Sequence, residues 1–82
     1  MEHKLDVSGL EPPEPMERIL QAIETLNAGD YLHVTHRREP HMLYPMLEKM
    51  GIAWITRQSE SEGYDIFLWR KGDNIASAEV PA

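Results

Sequence analysis

Three prolines in four positions, within Glu11-Pro12-Pro13-Glu14-Pro15, constrain this chain more than any other feature. Proline lacks an amide proton and fixes φ, so the stretch can be neither strand interior nor mid-helix. Its natural place is a rigid lead-in to a helix, with a proline in the first turn and acids near the positive end of the dipole. Helical spacing follows at once. Met16, Ile19, Leu20, Ile23 and Leu26 fall on one face, with Glu17, Arg18, Gln21 and Glu24 opposite. Asn27-Ala28-Gly29 reads as the stop.

Before the prolines, Leu5 and Val7 alternate with Lys4, Asp6 and Ser8, a half-buried strand of about four residues that Gly9 ends. After the helix, Tyr31 to Thr35 reads as a second strand, Leu32 and Val34 on one face and Tyr31, His33 and Thr35 on the other. His36-Arg37-Arg38-Glu39-Pro40 then leads into a second helix, whose apolar positions are Met42 or Leu43, Met46, Leu47 and Met50, with Gly51 as its C′ residue. Pro45 confines that helix to a short or bent form, with the proline near its first turn. Ile52 to Arg57 and Tyr64 to Arg70 are strands joined by a polar loop ending in Gly63. Residues 72–82 show no periodicity and read as a flexible tail. The order β-α-β-α-β-β over residues 1–71 implies one α+β domain: a two-layer sandwich with two helices on one face of a four-stranded mixed sheet.

Ile, Leu, Val and Phe make up 18 of 82 residues, enough for one thin core and no second domain. The net charge of −6 argues against nucleic-acid binding, and no apolar stretch has signal or membrane length, so the expected compartment is the cytoplasm. The charge is uneven: residues 31–57 carry Arg37, Arg38, Lys49 and Arg57 against two acids, a basic island in an acidic chain. Cysteine is absent, which removes disulfides, thiolate metal sites and any cysteine nucleophile.

Leu5-Asp6-Val7-Ser8-Gly9-Leu10, the proline turn and the helix after it resemble the opening of the TusA/SirA-like superfamily of sulfur-relay proteins, Leu-Asp-x-x-Gly-Leu-x-Cys-Pro-x-Pro. The resemblance runs over residues 4–71 and implies the same β-α-β-α-β-β fold. Pro13 and Pro15 stand on the two family prolines, Gly29-Asp30 is similar to the family's Gly-Glu, and the sulfur-carrying cysteine falls on Pro12. A cysteine-less branch, domain of unknown function 2249, is closer still. It has Pro-Pro-x-Pro at the turn, a later His-x-x-x-Pro, matched by His36 to Pro40, and Leu-Tyr-x-x-Leu-Glu, matched by Leu43 to Glu48. Ser8 replaces that branch's arginine. In the superfamily, sulfur donors and acceptors dock at the turn before the first helix. The resemblance therefore implies a bacterial, non-catalytic interaction or regulatory module with a protein partner, since no persulfide can form on Pro12.

Several clusters are candidates for chemistry. His33, His36 and His41 lie within nine residues, but their positions on a strand face, past its end and at a helix start need not converge on a metal. No metal or other cofactor is assigned; surface and loop histidines are the default. The alternative function is a small anion- or metal-binding protein using the loop His36-Arg37-Arg38, where free amides at a helix N-terminus and two guanidiniums suit an anion or a carboxylate. The competing reading pairs Arg38 with Glu39 or with acids of the first-helix lead-in. Glu11 and Glu14 flank the prolines, but acids at a helix start are stabilising without catalysis. Candidate contact residues are therefore Glu11, Pro12, Pro13, Glu14, His36, Arg37 and Arg38, with no catalytic residue. Methionines on the helices are taken as core fillers. Phe67 and Trp69 either form an exposed contact surface on the open sheet face or pack under the tail or loops.

Overall fold

The computed structural model describes residues 1–81. Strands β1 (Glu2–Asp6), β2 (Tyr31–His36), β3 (Ile52–Gln58) and β4 (Tyr64–Arg70) form one sheet in the order β1-β2-β4-β3. β1 runs parallel to β2, with Leu5 opposite Val34, while β4 is antiparallel to both β2 and β3. The sheet is mixed and the order β-α-β-α-β-β is the expected one.

Helices α1 (Glu14–Glu24) and α2 (Leu43–Met50) pack on one sheet face. Ile19, Ile23 and Leu26 from the first segment and Leu43 and Leu47 from the second meet Leu32, Val34, Ile66, Leu68 and Ile52 in a single core. Each side chain of this size stabilises by roughly 1.5–3 kcal/mol on full burial, and a core this thin needs all of them. Pro15 sits in the first turn of α1 and Pro45 in that of α2, where a missing amide proton costs nothing. Gly51 closes α2 at φ 72. The carbonyls of Ile23 and Leu26 at the end of α1 accept from the Arg70 guanidinium at 3.1 and 3.2 Å, placing a cation at the negative pole of the helix.

The expectation of an aperiodic tail over 72–82 is corrected. Asn74–Glu79 form a third helix, α3, opened by the Asp73 carboxylate, which accepts from the amides of Ala76 at 3.0 Å and Gly29 at 2.7 Å. These bonds hold the Asp73 carboxyl below its usual range, Gly29 contributing most. α3 lies over β2 and β4 on the face opposite α1 and α2, and Ala76 is fully buried. Ala82 lies outside the described residues. Phe67, on that face, is 1% exposed. It lies beneath the Arg57 guanidinium at 5.2 Å and stacks on His33 at 4.6 Å, so of the two readings the packed one holds and an exposed Phe67 surface is overturned. Trp69 is partly buried. No helix is long and apolar enough to cross a membrane among the described residues.

Candidate functional site

Because β1 and β2 are parallel neighbours, the segments leaving their carboxyl ends emerge side by side, and the ladder carries on to the Val7 amide donating to the Thr35 carbonyl at 2.9 Å. The segment after β1 is the proline turn; the segment after β2 is the loop His36–Met42. Between them lies a cleft of about 570 Å³, within the range of about 300–1,000 Å³ usual for ligand sites. Pro12, Pro13, Pro15, Met16 and Ile19 form one wall. His36, Arg38, Glu39 and Pro40 open the other, which continues through His41 and Met42 to Leu43 at the start of α2.

The proline wall is set by short turns. The Leu10 amide donates to the Val7 carbonyl at 3.1 Å and the Glu14 amide to the Glu11 carbonyl at 3.0 Å, with a cis bond between Pro12 and Pro13. The opposite wall is braced by the β3–β4 loop. Gly63, at φ 99, approaches so closely that a Cβ there would stand 2.5 Å from the His36 carbonyl oxygen. The Arg38 amide donates to His36 Nδ1 at 3.1 Å, which fixes the neutral ring with its proton on Nε2. Burial, then the charges of Arg37 and Arg38, push the His36 pKa below its ordinary value. Further along, the Tyr44 hydroxyl donates to Glu39 at 2.9 Å and lies 2.7 Å from Thr56 Oγ1, while its ring stacks on Trp54 at 5.2 Å. Burial raises the Tyr44 pKa. These contacts tie the loop to α2 and β3.

The cleft thus gathers Pro12, Pro13, His36 and Arg38 from the candidate residues. Glu11 and Arg37 form an ion pair at 3.8 Å and do not line it. Glu14 is turned away and pairs with Arg18 along α1. Glu39 is engaged by Tyr44 and, at 3.5 Å, by His41, and Arg38 has no carboxylate partner among the described residues. The three histidines are separated. His33 lies on the far sheet face between Glu2 at 3.2 Å and Asp65 at 2.9 Å, His36 at the end of β2 and His41 before α2. Among the described residues no three His, Asp or Glu side chains are grouped to hold a metal ion.

Met16 and Met42 also line the cleft, and neither was singled out by the sequence as a contact residue. The assignment of methionines to the core holds for Met16, which packs against it, and needs correction for the other three. Met42, Met46 and Met50 are 81%, 36% and 43% exposed, because Leu43 and Leu47 take the buried arc of α2.

Compared with protein families, residues 4–70 match the model described as an uncharacterized conserved protein, DUF2249. The chain belongs to this family. In this DUF2249 protein the matched stretch takes in both walls of the cleft, the Gly63 brace and Arg70, and it stops short of Asp73 and α3. No curated protein and no solved structure gives a significant match.

Proposed function

We propose that this DUF2249 chain is a non-catalytic binding module that engages a protein partner by taking an apolar side chain of that partner into the cleft. One observation carries the reading: the proline turn and the His36–Arg38 loop, more than twenty residues apart in sequence, are the two walls of one concave and largely apolar surface. Prolines make such a wall at little entropic cost, since their backbone is already fixed before binding. The scaffold resembles that of the sulfur-relay proteins, in which partners dock at this turn. With Pro12 where the relay thiol stands and no cysteine in the chain, docking is the part of that role these residues can perform.

The test is affinity capture from native lysate with the wild-type chain, with Met16→Trp to plug the cleft, and with the proline turn and the His36–Arg38 loop altered separately. A partner held by the wild type and lost by all three, at unchanged melting temperature, supports docking. Equal recovery by every variant, or none by the wild type, refutes it. Arg38 without a carboxylate partner favours a second reading, a small anion at the loop. Saturable phosphate- or acetate-induced NMR shifts at Arg37 and Arg38 that vanish in Arg38→Met would support it.

A further inference from the structure

We infer that the partner segment is an acidic amphipathic helix that lies along α2 with one apolar side chain in the cleft; this rests on the reading of the cleft as a docking site. A surface helix ordinarily turns polar residues outward. α2 turns an apolar row outward beside the exposed Glu48, which pairs with Lys71. Leu43 and Leu47 are fully buried beneath it, and Met42, Pro45, Met46 and Met50, at spacings of three, four and eight from the first, form an exposed row in which Lys49 is the one charge. The row begins in the cleft, since Met42 is part of its wall, and extends about 12 Å at 1.5 Å per residue. Unbranched thioether side chains adapt to the ridges of an opposing helix, and an apolar row continuing into a groove is the arrangement that receives one.

Charge selects the kind of helix. Six of the eight lysines and arginines are engaged: Lys4, Arg18, Arg37 and Lys71 by carboxylates, Arg57 and Arg70 by carbonyls. Arg38 and Lys49 are the two whose side chains neither ion-pair nor hydrogen-bond among the described residues. One stands in the loop that enters α2 and the other in the last turn of α2, bracketing the methionine row. On a chain of net charge −6, Arg38 and Lys49 are left to attract an acidic segment here, because the neighbouring acids are already engaged, Glu39 by Tyr44 and Glu48 by Lys71. A basic helix meets the opposite field.

The probe is a synthetic sixteen-residue amphipathic peptide with leucine on one face and glutamate elsewhere, beside its lysine-for-glutamate copy. Binding is read from the ¹³C-methyl signals of the methionines. The glutamate peptide should shift Met42, Met46 and Met50 saturably and leave Met1 unmoved. Arg38→Glu with Lys49→Glu should weaken it at least tenfold and confer binding of the lysine peptide; both positions are exposed, and unchanged melting confirms the fold. Equal binding of the two peptides, shifts confined to Met16 and Met42, or no shift at millimolar peptide overturns the inference. So does dimerisation of the free chain through α2, abolished by Met46→Glu, which gives the row to a second copy. Should Met16→Trp leave every methyl shift intact, the cleft is not engaged and the docking reading itself fails.

Discussion

Replacing Gly63 by alanine tests whether the β3–β4 loop holds the cleft wall in place. Three glycines separate the contributions. Gly9 has ordinary φ and nothing within 4 Å of an added Cβ, Gly51 has φ 72 but open space, and Gly63 has φ 99 with the His36 carbonyl oxygen 2.5 Å from the Cβ position. Gly9→Ala should be neutral or stabilise by up to about 1 kcal/mol, through the unfolded chain. Gly51→Ala should cost about 1–2 kcal/mol, the steric cost of a Cβ at positive φ. Gly63→Ala incurs that and must also displace backbone rather than a flexible side-chain end, which adds about 1–3 kcal/mol as overpacking does. The expected total of about 2–5 kcal/mol is a large share of the stability of an 82-residue domain. Urea unfolding supplies the three values, and amide shifts at His36 to Arg38 report the wall. Equal losses at Gly51 and Gly63, with the His36 and Arg38 amides unmoved, would refute the brace.

The His36 pKa is held below its unfolded value, so the folded state binds fewer protons there, and this contribution to stability is full above about pH 6.5 and lost as pH falls below it. Wild type should therefore lose more stability between pH 7.5 and 5.5 than His36→Asn; parallel losses would count against the part-buried ring beside Arg37 and Arg38. Asp73→Ala should free α3, seen as lost exchange protection at the Ala76 and Ser77 amides and a lower melting temperature. Because the Asp73 carboxyl is held low, that docking is full above pH 3.8 and weakens in stronger acid. Arg70→Met should cost about 1–3 kcal/mol by unpairing the last carbonyls of α1, with hydrogen exchange quickened in that turn first; unchanged exchange would show that the cation is idle.

Where the residues facing the helices recur at a regular spacing, the sequence is transparent. Leu32 and Val34, Ile66 and Leu68 name their strand face by period two, and Ile19 and Ile23 name theirs by period four. α3 escapes this logic because Asn-Ile-Ala-Ser-Ala-Glu is too short for a period and buries only Ala76. Its one sequence signal is Asp73 as N-cap. α2 fails for a different reason. Leucines and methionines on nearly every side leave two apolar arcs, and periodicity cannot choose between Leu43 with Leu47 and Met42 with Met46; the sheet chooses the first pair.

The cleft depends on a fact of a third kind. Each wall is locally legible, the prolines by their fixed φ and the His36 loop by its place between strand and helix, but their meeting depends on strand direction. Parallel neighbouring strands deliver both of their following segments to the same end of the sheet, whereas an antiparallel pair would send them to opposite ends. A mixed sheet with β1 parallel to β2 and joined to it through α1 therefore places Pro12 and Pro13 across from His36 and Arg38. The register sharpens this. Leu5 opposite Val34 keeps both side chains on the helix face, and slipping β1 by one residue would send Leu5 and Val7 to the α3 side and shift the proline turn along the strand axis by about 3.3 Å. The same buried residues that make the core thus fix how the two walls of the cleft line up. It follows that Val7, buried in the core and two residues beyond Leu5, holds that alignment without lining either wall.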